Sequence, residues 1–278
     1  MNCMAAHTMS VGGNIDFNLH QTLACIDFAE RKGTRFVLFP ELNLSGYTLK
    51  RAAISAANER KEDLFKTLTQ VSLHKKIAFA VGFPERANGK IFVSHFIFDK
   101  GKLLGIHRKT HLSAKEKGLF TQGNAIEVFT VGTLKIGIQL CYESHFPEIS
   151  FAQEQQGANL LAVAFASPGT SSQEKSARFV RFLSARAYDN ACYLMACNLS
   201  GQTDSGMPIH GLSMAFSPKG ELLQSSTDKE TGYCCFNVDE EQIKKLRRSK
   251  MSYFNQHKRK ELFTAFYEAS KSENGSKK

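Results

Sequence analysis

The stretch Ile136–Glu148, IGIQLCYESHFPE, runs from an apolar, strand-like segment into polar residues and a helix start, with the thiol of Cys141 at the junction. Strand ends and loops are where a layered α/β protein displays reactive side chains. Two other apolar runs finish in the same way. Glu41 closes FVLFPE (Phe36–Glu41), and Lys109 follows LLGIH within GIHRKTHL (Gly105–Leu112). Three strand ends therefore present a carboxylate, an ammonium and a thiol.

The chemistry available to such a set is definite. A cysteine attacks as thiolate, so its pKa of roughly 8.5 must fall or a base must take the proton. A carboxylate can accept that proton and return it to a leaving amine. A lysine supplies positive charge for an oxyanion on the attacked carbon. Taken singly, each residue has a plain structural reading: an inert buried thiol, a solvated lysine, a glutamate at a loop start. Their coincidence at three strand ends points to a cysteine hydrolase.

The blocks FPELNLSGY (Phe39–Tyr47), HRKTHL (His107–Leu112) and LCYESHFPE (Leu140–Glu148) resemble the three signature segments of the nitrilase superfamily of carbon-nitrogen hydrolases, in the same order. The resemblance implies Glu41 as general base, Lys109 as oxyanion-stabilising lysine and Cys141 as nucleophile, with the Tyr142 N–H as a second oxyanion donor. KEKGLFTQG (Lys115–Gly123) is similar to the family segment carrying a second glutamate four residues before an aromatic, which assigns that place to Glu116, ahead of Phe120. SARAYDNACYLMACN (Ser184–Asn198) and GLSMAFSPKGELL (Gly211–Leu223) extend the likeness over most of the chain. Departures are Asp189 for a common glutamate, His7 for a frequent glutamine, and FASPGTSS (165–172) where many relatives are rich in aromatics.

By the same resemblance the fold is a four-layer αββα sandwich, commonly paired into an αββα–αββα dimer. The implied substrate is a small linear amide or N-carbamoyl compound, cleaved through a thioester with release of ammonia or an amine. A nitrile is the alternative, disfavoured because CYE replaces the CWE of true nitrilases. Tyr47, Phe120, Glu143, His145 and Phe146 are candidate substrate-binding residues, and neither a metal nor a cofactor is implied.

Composition fits an enzyme. Of 278 residues, 42% are hydrophobic and 22% charged, enough for one large core. No Pro, Gly or Ser-rich linker interrupts the chain, so one domain over 1–268 is expected, followed by a polar tail, 269–278, with few residues that could drive ordering. The start MNCMAAHTMSVGG lacks the basic and apolar regions of a secretory signal, and no stretch reaches the 18 or so apolar residues of a membrane span. Seven cysteines without a CxxC pair argue against a disulfide framework or zinc site and suit a reducing cytoplasm.

Helical spacing predicts helices over Asp16–Lys32, Ala52–His74, Glu148–Gln156, Ser172–Asn190 and Glu240–Arg248. Strands are expected at Phe36–Phe39, Ile77–Phe83, Ile91–Phe98, Leu103–His107, Ile126–Val131, Lys135–Leu140, Leu160–Ala164, Tyr193–Cys197, Ser213–Ser217 and Gly232–Val238, with Asn88-Gly89 as a hairpin turn. From this pattern alone the fold class is α/β or α+β.

Other classes fit less well. A papain-like enzyme would pair Cys141 with a histidine, but the C-G-[SA]-C-[WY] signature is missing. His107 and His111 have metal-ligand spacing but lie on a strand-to-loop passage without the glutamate of HExxH. A superfamily acyl transferase would need further domains or membrane spans. The net charge of +10, with KKLRRSK and HKRK between Lys244 and Lys260, offers a non-enzymatic reading as a basic binding protein for nucleic acid or acidic lipid. No nucleic-acid-reading motif accompanies it, so a solvated helix face is the simpler expectation. The aromatic segment Ser252–Phe266 could dock on a partner subunit or on the chain's own core, and a homo-oligomer is expected from resemblance.

Overall fold

The computed structural model describes residues 1–169, 171–227 and 230–264; the tail at 269–278 and Phe266 lie outside them. The chain begins with β1 (Asn2–His7), β2 (Met9–Ser10), α1 (Ile15–Arg31), β3 (Phe36–Leu38), α2 (Arg51–Glu59), α3 (Lys61–Lys75), β4 (Ala78–Ala87), β5 (Lys90–Asp99) and β6 (Lys102–Arg108). It continues through β7 (Val128–Val131), β8 (Leu134–Leu140), a 3-10 turn (Cys141–His145), α4 (Pro147–Gln155), β9 (Leu160–Phe165), α5 (Ser172–Asp189) and β10 (Tyr193–Asn198). The short strands β11 (Ser200–Gln202) and β12 (Pro208–Ile209) precede β13 (Leu212–Phe216), β14 (Leu222–Thr227), β15 (Gly232–Asn237), α6 (Glu240–Arg248) and a second 3-10 turn (Phe254–His257).

Two six-stranded sheets, ordered β15-β1-β3-β4-β5-β6 and β14-β13-β10-β9-β8-β7, form the frame. Their strands alternate side chains between two apolar layers, because successive residues of a strand point to opposite faces. Cys3, Ala5, Phe36 and Leu38 of the first sheet meet Ile136, Ile138, Leu160 and Ala162 of the second in the central layer. Met4, Ala6, Val37 and Phe79 face Ile26 and Ala29 of α1 and Leu64 and Leu68 of α3 on one outside. Leu161, Val163 and Phe165 face Phe179, Leu183 and Ala187 of α5 on the other. Helix, sheet, sheet, helix is the αββα sandwich expected, and each fully buried Phe or Leu in it contributes about 2 kcal/mol.

One expectation needs correction, and one strand of the first sheet is not among those expected. The single helix Ala52–His74 is two helices that break at Arg60 (φ −96°, ψ 1°), a residue that closes α2 and caps α3. The opening residues form β1, which pairs in parallel with β3 and antiparallel with β15 inside the first sheet. Its CMAAH run shows no polar alternation because both faces are buried, the usual pattern of an interior strand. Parallel pairing brings the C-terminal ends of β1 and β3 to one edge, and likewise those of β8, β9 and β10 in the second sheet.

Candidate active site

Glu41 sits just after β3 in a bend that packs under β4. Gly82 makes the bend possible: a Cβ there would lie 2.2 Å from the Leu42 nitrogen and 2.8 Å from the Pro40 oxygen. The Gly82 N–H donates to Asn43 Oδ1 at 2.8 Å, and its carbonyl accepts from the Leu44 N–H at 3.1 Å. Leu42 takes a left-handed φ of 55°, a strained choice for a non-glycine residue that turns the chain directly after the glutamate.

Lys109 extends β6 through its N–H, which donates to Val93 O at 2.9 Å. Its Nζ, fully buried, donates to Glu41 Oε1 at 2.7 Å and to Glu116 Oε1 at 2.8 Å. The other Glu116 oxygen accepts from the Ser113 N–H at 2.7 Å, which fixes the carboxylate against its own turn. The second Glu41 oxygen accepts from the Ala166 N–H at 3.2 Å, just past β9. Residues 68 positions apart are thereby locked into one buried ion cluster.

Cys141 opens the 3-10 turn at the end of β8, with a left-handed φ of 47°. Glu143 holds this turn. Burial alone would raise its pKa, but His107, through charge and hydrogen bond, and Thr110 outweigh burial and hold it at about 2. Its oxygens accept from His107 Nε2 at 2.9 Å, the Thr110 N–H at 2.7 Å, the Thr110 hydroxyl at 2.6 Å and the Leu140 N–H at 2.6 Å. The end of β8 is thus clamped to the segment that follows Lys109.

A cavity of about 570 Å³ opens over these groups, lined among others by Glu41, Tyr47, Glu116, Cys141, Ala166, Ser167 and Asp204. Of the candidate binding residues only Tyr47 is on its wall. Glu143 is not, because all of its acceptor capacity is engaged in the clamp. Phe120 is buried in the layer between the sheets. His145 is exposed and lies against Phe182, 4.6 Å between centroids, and Phe146 covers His111 at 4.1 Å. Three of these residues follow the nucleophile in sequence, but the 3-10 turn carries them away from the cavity. Ala166, Ser167 and Asp204 line the cavity without a signal in the sequence, because a backbone donor or a loop side chain has no distinctive residue type.

The electrostatics decide how the thiol can react. Burial raises the Cys141 pKa to about 12, the Glu41 carboxylate raises it too, and Lys109 and the Ala166 N–H work the other way. Burial also raises Glu41, to about 7, against the opposing pull of Lys109. For Lys109, burial favours the neutral amine, but Glu41, Cys141 and Glu116 hold its pKa well above the ordinary value. The resting site therefore holds a neutral thiol beside a carboxylate that titrates near neutrality and a permanent cation. Cys141 and Glu41 share the Ala166 N–H, while the contact between Glu41 and Lys109 is direct.

His107 and His111 do not converge: His107 faces Glu143, and His111 Nδ1 meets the Thr110 hydroxyl at 2.8 Å. Among the described residues no His, Cys, Asp and Glu group is arranged to hold a metal ion.

A family profile described as carbon-nitrogen hydrolase matches residues 5–248. The chain belongs to the carbon-nitrogen hydrolase family. It is 28% identical over 228 residues to a probable nitrilase of Schizosaccharomyces pombe, covering 80% of this chain and 81% of that protein. It is 29% identical to an N-carbamoylputrescine amidase of Arabidopsis thaliana (80% and 81% covered) and 27% identical to an (R)-stereoselective amidase of a Pseudomonas species (85% and 84%). Among solved structures, an amidase from a Nesterenkonia species superposes with a TM-score of 0.82 at 21% identity, covering 96% of each chain. A variant of that amidase carries acrylamide added to its active-site cysteine. The chain is accordingly a member of the nitrilase superfamily of carbon-nitrogen hydrolases, with relatives that carry both nitrilase and amidase names.

Proposed function

We propose that the chain hydrolyses small linear amides or N-carbamoyl compounds with Cys141 as nucleophile, Glu41 as base and Lys109 as oxyanion stabiliser. The observation that carries this reading is the buried Lys109 ammonium, which bonds both Glu41 and Glu116, the two carboxylates that line the cavity together with Cys141. Burying such charges costs several kcal/mol of desolvation per ion, and a well-packed apolar replacement is often as stable, so stability alone is a weak reason for the cluster.

Glu41 takes the thiol proton as sulfur bonds to the substrate carbon. The carbon–oxygen π electrons move onto oxygen, where Lys109 Nζ and the Tyr142 N–H receive the charge. The Tyr142 N–H lies in the first turn of the 3-10 segment, where backbone donors lack an intrahelical acceptor. The tetrahedral centre collapses, its C–N bond breaks, and Glu41 hands the proton to the departing nitrogen. Water, deprotonated by Glu41, then attacks the thioester; the acid leaves and the proton returns to the sulfur. Glu116 positions Lys109.

The test is ammonia release from butyramide, which a solved variant of the Nesterenkonia amidase binds, and from N-carbamoyl amines and acids. Turnover by the wild type that is abolished in a folded Cys141→Ala variant is the expected result. Turnover unaffected by that change would remove Cys141 from the mechanism.

A further inference from the structure

The segment that follows β9 carries a backbone donor shared by the thiol and the glutamate, and its aim is set from outside the cavity. β9 lies between β8 and β10, so the N–H groups of successive residues alternate between the two neighbours. Phe165 engages β10, its carbonyl accepting from the Leu199 N–H at 2.9 Å. Ala166 therefore turns its N–H to the β8 side, where pairing has stopped at Leu140 and the chain leaves through Cys141. With no ladder partner there, that N–H serves Glu41 Oε2 at 3.2 Å and the Cys141 sulfur.

Ser167 turns back towards β10, and there one side chain stands in for the ladder. Asn198, fully buried at the end of β10, accepts from the Ser167 N–H through Oδ1 at 2.8 Å and donates Nδ2 to the Ser167 carbonyl at 3.2 Å. Nδ2 also donates to the His210 carbonyl at 2.7 Å. A side-chain amide has two protons on nitrogen and an acceptor oxygen, so two carbonyls and one N–H around it admit a single orientation. The Ser167 peptide is thus held on both sides, one residue from the shared donor.

We propose that Asn198 is a positioning residue for the hydrolytic steps: by bracketing the Ser167 peptide it keeps the Ala166 N–H aimed at Glu41 and Cys141. This rests on the reading of Glu41 as base and Cys141 as nucleophile, and it extends the working site to a residue that touches neither. An N–H donated to a carboxylate favours its ionised form, so the brace opposes the burial that raises Glu41. Lys109, Glu116, Cys141 and Tyr47 also act on Glu41, and Asn198 acts through none of these, since its partners are Ser167 and His210.

Alkylation of Cys141 by iodoacetamide, followed on the Cys141 peptide by mass spectrometry across pH, reads this without any substrate. In the wild type the rate should rise through about 7 as Glu41 ionises. In Asn198→Ala the midpoint should move up by about half a pH unit or more, a fraction of what a full hydrogen bond to a charged group supplies, and alkylation well below the midpoint should slow about threefold. Leu194→Ala, a core truncation in the same strand that faces α5, should cost stability and leave the midpoint in place. Asn198→Ser decides if Asn198→Ala does not fold. An unmoved midpoint in the folded Asn198 variant overturns the proposal even if amide turnover falls, because Asn198 would then only brace a strand end. An equal shift in Leu194→Ala overturns it too, since general loosening would account for both. A wild-type rate with no rise near 7 would remove Glu41 as base and the role of Asn198 with it, whereas a rise that Asn198→Ala leaves in place removes the role of Asn198 alone.

Discussion

At Cys141, backbone and proton affinity both work against rest. The left-handed φ of 47° disfavours any side chain with a Cβ, and burial keeps the thiol protonated, with a pKa of about 12. In urea unfolding, Cys141→Gly is expected to be more stable than Cys141→Ala by about 1 kcal/mol, the reverse of the order in ordinary backbone. Glu41 titrates near 7 and accepts the thiol proton only as a carboxylate. The rate constant kcat/KM should therefore rise with pH through about 7, and Glu41→Gln should remove that limb along with nearly all activity. A flat profile between pH 5 and 9 would show that another group is the base.

At the scale of elements, the site depends on a turn under β4 and a clamp after β8. Gly82→Ala would push a Cβ into the backbone around Glu41, so activity should fall by an order of magnitude or more, with crystallography showing the Glu41 bend displaced. Glu143 has a folded pKa near 2 against an ordinary 4.5, a gap worth about 3 kcal/mol. That stability is fully present above pH 4.5 and is lost as pH falls towards 2. Glu143→Gln should thus be less stable than wild type at pH 7, with the difference shrinking below pH 4.5 in denaturant titrations. The sequence made Glu41, Lys109 and Cys141 legible because each ends or follows an apolar run, whereas Glu116, in the polar stretch SAKEK, is readable only through the family resemblance. It misdirected the reading of Glu143, since adjacency to a nucleophile does not reveal which way a 3-10 turn faces. Ser217-Pro218-Lys219-Gly220 marks the turn before β14, but the polar QSST of that exposed strand lacks apolar alternation, and the break at Arg60 has neither glycine nor proline to mark it.

For the whole molecule, the two sheets share one apolar layer, and the site lies where their strand ends meet. Cations of the C-terminal basic cluster are mostly exposed, with Arg247 alone half-buried. Arg247 donates to Ala158 O at 2.6 Å, Lys258 stands 3.7 Å over the Phe151 ring, and Lys260 bonds Gln155. Among the described residues no helix is long and apolar enough to cross a membrane. Phe254 and Tyr188, 5.6 Å apart and about half exposed, lie beside the strongly exposed Met251 segment and offer an apolar face for the pairing the family resemblance implies. Light scattering should then give a mass near twice 31.0 kDa; a 31.0 kDa particle would count against pairing. The most direct test of the central claim is hydroxylamine trapping during amide turnover. Wild type should divert the acyl group into a hydroxamate, and folded Cys141→Ala should yield neither hydroxamate nor ammonia. Undiminished ammonia release by Cys141→Ala would contradict a thioester at this cysteine.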